Sequence, residues 1–409
     1  MPGIVSLHLR RSLGRSALPA LLVLVLANTL LRTLTWRHEW MWAAYQYNFT
    51  VVLLGPLAAG VAAREGYRLA RSGPFLIAHH RPLALIAAAW AALYAWCAVA
   101  FLTGLALVLA IVAASGTPSF PGWRELVTAL PALGLLAVET AAGFAAGWLS
   151  RSRLTAPLAA IVVFLLSLAL YAGDLSSFVT VGGATGSLVG LRPKVPTQAS
   201  QLVFYTLTTV LLLITSVWLA SWYRVPRRWI LAATSLLVVA SAAHLATRSP
   251  LYLESRPSDV VCSGQHPRIC LGRSYAKYEA GVRRELRSYY TAMDSIGVAT
   301  PHEFRQGAAG GGPGVGELGL DTITDGSTLL DGFLGTYYGT RCELPIGSQV
   351  SKDFTNARYW LAQAAGDPAD GDGDPELSPV LLHGTRAQQA DLARKSFRGL
   401  QDCAARHAR

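Results

Sequence analysis

Long apolar runs dominate the first 247 residues, and each is long enough to cross a lipid bilayer. The hydrocarbon core of a bilayer is about 30 Å thick, so a membrane-spanning helix needs about 20 mostly apolar residues. Seven runs meet this requirement, at residues 16–34, 42–63, 83–114, 126–149, 154–173, 202–223 and 229–247. The third run exceeds what a bilayer requires, so we expect that helix to tilt or to extend beyond the membrane.

The composition excludes an ordinary soluble enzyme and a disordered chain. Only 14% of the residues are charged, whereas soluble domains carry about 25%. The net charge of +11 belongs to the apolar part of the chain: residues 1–247 hold 17 Lys and Arg against 5 Asp and Glu, and residues 248–409 hold 18 against 19. Basic residues that flank apolar runs indicate membrane topology, so we expect no nucleic-acid partner.

The basic residues are divided unequally between the two sides of the predicted membrane domain. Twelve fall on the side of the N-terminus and five on the other side. The positive-inside rule therefore predicts a cytoplasmic N-terminus, and seven spans then place residues 248–409 outside the membrane. A cleaved signal peptide is the alternative reading of the first run, but no A-x-A site follows it before Arg32.

Residues 248–409 have the patterns of a small α+β domain. Helical spacing of apolar residues predicts helices over 274–298 and 354–365, and a capping-box pattern of Thr385 and Gln388 predicts the start of a third. Short extended segments are expected within 247–270 and 318–346, and loops over 307–316 and 366–379. The whole chain is thus predicted to be a polytopic α-helical membrane protein, with a transmembrane domain at 1–247 and an extracytoplasmic domain at 248–409.

Four of the five cysteines lie in this C-terminal segment and none in the predicted cytoplasmic loops. Clustered cysteines fit disulfides in an oxidising compartment, which agrees with the outside location. Four cysteines allow three connectivities. We favour Cys262–Cys270 and Cys342–Cys403, because the first two are eight residues apart around a turn with Gly and Pro; free thiols are the alternative.

The first predicted cytoplasmic loop, 64–82, reads REGYRLARSGPFLIAHHRP. A short basic helix over 64–72 is expected to lead through Gly73-Pro74 into a second apolar turn. Such a loop can lie along the inner membrane surface and present Arg64, Arg68, Arg71 and Arg81 to a cytoplasmic partner. A positively charged loop that only fixes topology is the alternative.

The stretch 62–82, with its Arg-Leu-x-Arg-Ser-Gly, resembles the coupling-helix loop of ABC-2-type exporter permeases from actinobacteria. The segment GFAAGWLSRSRLTAP at 143–157 resembles the turn between the middle spans of such permeases, and VVCSGQHPRICLGRSYAKY at 260–278 is similar to the start of extracytoplasmic domains in some of them. The excess of arginine over lysine, 31 against 4, also suits a bacterial genome rich in G and C. Typical members have six spans and a cytoplasmic C-terminus, so a seventh span and an outer domain make this chain atypical.

The resemblance implies transport coupled to ATP hydrolysis in a separate cytoplasmic ABC ATPase, which would hold the ATP and Mg²⁺. The chain itself has no G-x-x-x-x-G-K-[ST] sequence, so we expect no catalytic residue and no cofactor in it. The resemblance also implies a second permease subunit, either a copy of this chain or a paralogue. The outer domain is expected to gate the exit, bind the exported molecule or recruit an envelope partner.

Two metal-like patterns are incomplete. The segment from His302 to Gln306 has Gln at the second histidine position of the zinc-peptidase helix H-E-x-x-H. The acidic residues Asp370, Asp372 and Asp374 alternate as in a calcium loop, but Pro375 and Leu381 replace the Gly and Glu that such a loop requires. We therefore expect no metal site and a solvated acidic loop; a weak calcium site in that loop is the alternative.

Glu139 is the only acidic residue deep within a predicted span. A charge there costs about 3 kcal/mol on insertion scales, so Glu139 should face protein or water. It is expected to make an interhelical hydrogen bond or to form a proton or substrate site, with His244 as a possible partner. Gly143 and Gly147 on the same helix form a G-x-x-x-G pattern, which allows helices to approach closely but is frequent by chance in such segments. The leading function is thus a permease-like subunit, and the alternative is a non-transporting membrane scaffold or sensor whose outer domain binds a ligand.

Overall fold

The computed structural model describes residues 8–31, 34–72, 82–117, 123–183, 187–220, 228–247, 253–255, 260–306, 315–319, 323, 329–338, 345, 347–366 and 375–407. The chain divides into two compact units. The membrane domain comprises Met1–Thr185 and Arg192–Glu254. The C-terminal domain comprises Gly186–Leu191 and Ser255–Arg409. The sequence places the end of the membrane domain at residue 247, whereas the structure extends this domain to Glu254. The added residues include part of a short strand at 253–255, which pairs with a strand that follows the fifth span.

The membrane domain is built from helices that match the apolar runs. They are α1 (Leu13–Leu30), α2 (Trp40–Asn48), α3 (Val51–Ser72), α4 (Pro82–Ala114), α5 (Trp123–Val127), α6 (Ala129–Ser150), α7 (Thr155–Ala172), α8 (Val195–Ala220) and α9 (Arg228–Ala246). Two short strands, β1 (Leu191–Pro193) and β2 (Leu253–Ser255), pair in a two-stranded sheet.

In the described part of the chain, six helical segments are long and apolar enough to cross a membrane. The chain is therefore a multi-pass helical membrane protein. The second span is formed by α2 and α3 together, and the sixth begins at Val195, earlier than the hydropathy pattern predicts. The seventh predicted span corresponds to α9, whose apolar part, Ile230–Ala246, is shorter than the others.

The basic segment after the second span differs from its prediction. Residues 64–72 do not form a separate surface helix, because α3 runs without interruption from Val51 to Ser72. No proline lies between Pro56 and Ser72, and the next Gly-Pro pair of the sequence, Gly73-Pro74, comes only after the end of α3. The arginines therefore continue a membrane helix, while Arg81 lies outside the described residues.

The closest helix packing is between α3 and α6, whose backbones touch. A Cβ atom added at Gly143 would lie 2.1 Å from the carbonyl oxygen of Ala59, and one at Gly147 would lie 1.8 Å from that of Ala63. From the other side, a Cβ at Gly66 would lie 2.2 Å from the carbonyl oxygen of Phe144. The G-x-x-x-G pattern therefore lies in a real helix contact, and α3 packs in addition against α7 and α1.

The C-terminal domain has a four-stranded sheet covered by helices. Strands β3 (Val260–Ser263), β4 (Arg268–Gly272), β5 (Glu303–Gln306) and β6 (Val315–Leu318) are adjacent in that order, and β3 is antiparallel while β4, β5 and β6 are parallel. The described helices are α10 (Glu279–Ser295), α11 (Leu329–Tyr338), α12 (Gln349–Ala365), α13 (Pro379–His383) and α14 (Arg386–His407). Aromatic residues fill its core, with Phe304 stacked on Phe333.

The sequence patterns of this domain were correct in part. The capping box forms at the start of α14: the Gln388 N–H donates to Thr385 Oγ1, and the Thr385 N–H donates to Gln388 Oε1. The predicted extended segment at 318–346 is wrong over α11, where Leu329, Phe333 and Leu334 pack into the core at helical spacing. Residues 307–314 and 367–374, with the three alternating aspartates, lie outside the described residues.

The contact between α3 and α6 predicts the effect of adding volume to it. Gly143→Leu should lower the free energy of unfolding of the membrane domain by about 1–3 kcal/mol, because the new side chain meets backbone that cannot move aside. Thermal unfolding in detergent measures this change. Ala233→Leu is the control, since it adds the same side chain at an exposed position of α9. Equal stability of the two variants would contradict the packing.

Candidate functional site

Glu139 lies between three membrane helices. It is on α6, and only 5% of its surface is exposed. The Ser167 hydroxyl on α7 donates a hydrogen bond to Glu139 Oε1 over 3.1 Å. Within the described part of the chain, Oε2 is buried and has no hydrogen-bond partner. The prediction that Glu139 faces protein is therefore confirmed.

The third helix at this site, beside α6 and α7, is α3, which contributes its backbone at Gly55. A Cβ atom at this position would lie 1.6 Å from Glu139 Oε2, so only glycine leaves room for the carboxyl group. Pro56 follows within the helix and lacks an N–H, so it cannot donate the usual helical hydrogen bond to the carbonyl of Val52. The carboxyl group thus lies beside a point where α3 is weakened. We name Glu139, Ser167 and Gly55 the carboxyl site.

His244 does not belong to the carboxyl site. It is exposed on α9, which packs against α8 and against the short helical turn Ser176–Phe178. The pairing of His244 with Glu139 is therefore wrong. The sequence could not predict this, because an apolar run indicates the position of a helix in the sequence. The run does not indicate which polar residues of different helices face each other. The actual partner, Ser167, is a small hydroxyl within an apolar run, and its only sequence signal is that isolation.

A second cluster lies at the end of α3. The buried carboxylate of Glu65 accepts a hydrogen bond from the Leu13 N–H over 3.1 Å and pairs with Arg68 Nη1 at 3.3 Å. Glu65 thereby ties α3 to the first turn of α1. Burial lowers the pKa of nearby His8, and the charge of Glu65 opposes that shift.

Tyr67 ties the same end of α3 to the turn between α6 and α7. Its hydroxyl accepts hydrogen bonds from Arg71 Nη1 at 3.1 Å and from Arg153 Nε at 3.3 Å. The side chains of Arg64, Arg68 and Arg71 are exposed. We name this set, Arg64, Glu65, Tyr67, Arg68, Arg71 and Arg153, the arginine end. It joins three chain segments and presents guanidinium groups to solvent.

The disulfide between Cys262 and Cys270 is present, as predicted, and it links directly opposed residues of β3 and β4. Cys403 is buried and disulfide-bonded, but Cys342 lies outside the described residues, so its pairing with Cys403 stays a prediction. The fifth cysteine, Cys97, is a buried free thiol in α4.

The segment from His302 to Gln306 is not a helix. Residues 303–306 form β5, whose extended backbone rises about 3.3 Å per residue, so His302 and residue 306 are too far apart to bind one ion as two residues of a helical turn do. The buried Glu303 carboxylate instead pairs with Arg305 Nη2 at 2.6 Å and with Arg268 Nη1 at 3.8 Å. Within the described chain, no three His, Cys, Asp or Glu residues are grouped closely enough to hold a metal ion.

No family model, curated protein or solved structure matches the chain.

The carboxyl site predicts different effects for two substitutions of Glu139. Glu139→Leu should lower the free energy of unfolding by about 1 kcal/mol, since it removes the bond from Ser167, whereas Glu139→Gln keeps an acceptor and should stay near wild type. Unfolding in detergent measures both. In a Ser167→Ala background the Glu139→Leu change should cost much less; fully additive losses would show that the two side chains act independently.

Proposed function

We propose that the chain is a seven-span protein of a bacterial cell membrane, with the N-terminus in the cytoplasm and the C-terminal domain outside. The apolar part of α9 has 17 residues, which span about 26 Å as a helix. That length lies at the short end of the range for membrane helices. The asymmetry of twelve basic residues against five supports the orientation.

Contacts at the two ends of the membrane domain support the same topology. At the arginine end, the first residue of α1, the last turns of α3 and the turn between α6 and α7 meet. At the other end, β1 precedes α8 and β2 follows α9, and the two strands pair. Their pairing requires α8 and α9 to leave that end and return to it. Successive connections between the spans therefore lie at alternating ends of the membrane domain. A chain that crosses the membrane back and forth has this arrangement.

We propose further that the chain is a permease-like subunit of an ABC exporter. The observation that carries this proposal is the course of α3. This helix runs unbroken from Gly55, against the buried Glu139, to the exposed Arg64, Arg68 and Arg71. A force applied to the arginines is transmitted along α3 and, through the backbone contact, to α6.

The mechanism that follows is mechanical. A cytoplasmic ATPase binds ATP and Mg²⁺ and docks against the arginine end. Acidic residues on the surface of the ATPase contact the arginines. Closure of the ATPase dimer displaces α3 together with α1 and the turn between α6 and α7, because Glu65 and Tyr67 tie these segments together. The membrane path then opens to the outside, and a second subunit, a copy or a paralogue, completes it.

The alternative is a membrane scaffold or sensor. The observation that favours it is the C-terminal domain, which has its own sheet and aromatic core. In that case the outer domain binds a ligand or an envelope partner, and the arginine end fixes topology only. Recovery of an ATPase with the tagged chain distinguishes the two functions.

The topology predicts the side on which a C-terminal reporter is active. Alkaline phosphatase fused after Arg409 should be active, because it requires an oxidising exterior, while a fluorescent protein that folds only in the cytoplasm should stay dark there. The same pair of reporters fused after Ser72 should give the opposite result. Cytoplasmic fluorescence from the C-terminal fusion would contradict the seven-span arrangement.

The coupling proposal predicts the effect of charge reversal at the arginine end. The double variant Arg64→Glu and Arg71→Glu should lower recovery of an ATPase with the tagged chain by about tenfold, since like charges then face each other across the interface. The matched control is Arg284→Glu with Arg287→Glu, which changes the same charge on exposed positions of α10.

Both double variants are checked for orientation with the reporters, because charge reversal beside a span can alter topology. Correctly oriented Arg64 and Arg71 variants that retain the ATPase would refute docking at the arginine end. Failure to recover any ATPase with the wild-type chain would favour the scaffold.

A further inference from the structure

The end of the membrane domain opposite the arginine end contains a cavity of about 360 Å³. Four segments that are distant in the sequence line it: the start of α2, α5 with the residue after it, β1 with the start of α8, and β2. A volume of this size lies within the usual range of small-molecule sites. None of the residues at the carboxyl site or the arginine end contributes to it.

Most of the cavity wall is apolar. Met41, Val127 and Val195 contribute aliphatic surface, and Trp123 stands beside them with 64% of its surface exposed. Tryptophan is enriched where a membrane meets water, because its ring is largely apolar and its N–H is polar. The wall is therefore suited to bind the part of an acyl chain that lies next to the glycerol, at the membrane surface.

Among the described residues that line the cavity, Arg192 and Glu254 carry one charge of each sign. Arg192 Nε and Glu254 Oε1 form an ion pair between β1 and β2, and both side chains remain about one-third exposed. Deeper in the cavity, Thr128 and Gln198 are almost fully buried. A phosphate group beside Arg192 and an ammonium group beside Glu254 would extend the pair into an alternating set of four charges.

We propose that this cavity binds a zwitterionic phospholipid, with its head group on Arg192 and Glu254 and its glycerol region against Thr128 and Gln198. An anionic head group would bring a negative charge to Glu254 without a cation to offset it. A neutral lipid would leave both charges unused. The proposal concerns the membrane domain alone and does not depend on export or on an ATPase.

Photolabelling tests the proposal. The full chain is reconstituted in vesicles of phosphatidylglycerol that contain, as their phosphatidylethanolamine, only a trace with a diazirine near the glycerol. Labelled residues are mapped by mass spectrometry. We expect labelling concentrated in residues 123–128 and 192–198 and removed by an excess of unlabelled phosphatidylethanolamine.

Filling the cavity provides the structural control. Val127→Trp should lower labelling of these segments about tenfold, whereas Val203→Trp, at an exposed position of α8, should leave it unchanged. Thermal unfolding shows whether Val127→Trp is folded, and Val195→Trp, at a more exposed position on the rim, replaces it where it is not. Labelling that persists in the folded variant would identify ordinary surrounding lipid and overturn the proposal.

Probes with other head groups test the role of the ion pair. The double variant Arg192→Gln with Glu254→Gln should lower labelling by the phosphatidylethanolamine probe about tenfold, since charge-assisted hydrogen bonds are lost. Labelling by a diacylglycerol probe should not change. Equal labelling of the wild type by phosphatidylethanolamine, phosphatidylglycerol and diacylglycerol probes, or preference for phosphatidylglycerol, would overturn the zwitterionic assignment.

Discussion

The backbone contact between α3 and α6 is the interaction on which the membrane domain depends. In lipid there is no hydrophobic driving force between helices, so close packing and interhelical hydrogen bonds must hold them together. The glycines at 66, 143 and 147 bring carbonyl groups of one helix against the Cα atoms of the other. Gly55 continues this contact and leaves a space of the size of one carboxyl group. The position of Glu139 is therefore a consequence of how closely the two helices approach.

Hydrogen bonds from buried polar side chains add to this packing around α6. Asn48 donates to the carbonyl of Thr128 at 2.9 Å, and the indole of Trp148 donates to the carbonyl of Ser216 at 3.2 Å. These bonds hold α6 to α2 and to α8, and each satisfies a group that would otherwise be buried without a partner in lipid. In the described chain, Glu139 Oε2 and Asn48 Oδ1 are each buried without a hydrogen-bond partner, although the other polar atom of each side chain is bonded. An interhelical bond alone would need only one acceptor, so a hydroxyl or an amide could replace a purely structural Glu139.

Hydropathy predicts the membrane helices well, because lipid allows few alternatives to a helix of about 20 apolar residues. It also predicts that Glu139 faces protein, since exposure to lipid is too costly. It does not predict Ser167 or Gly55, because almost every face of these helices is apolar and no stripe marks the contact surface. The zinc pattern at His302 fails for the opposite reason: β5 is set by pairing with β4 and β6, which lie far from it in sequence. Hydropathy does not predict the continuous α3, because the change from apolar to basic residues marks the end of the membrane span, whereas charge does not interrupt helical hydrogen bonding.

The helix α6 connects the cavity, the carboxyl site and the arginine end. Thr128, at its start, lies in the cavity of the Arg192–Glu254 pair; Glu139 follows after about three turns; and Arg153, just beyond its end, contacts Tyr67. A displacement of the arginine end therefore reaches α6 twice, through Arg153 and through the contact with α3. Because the carboxyl site has no spare volume beside Gly55, α6 cannot slide along α3 without displacing the carboxyl group of Glu139, which also accepts the bond from Ser167 on α7. The proposed coupling between the two membrane surfaces therefore requires a shift at the carboxyl site, where Glu139 Oε2 is buried without a hydrogen-bond partner in the described chain.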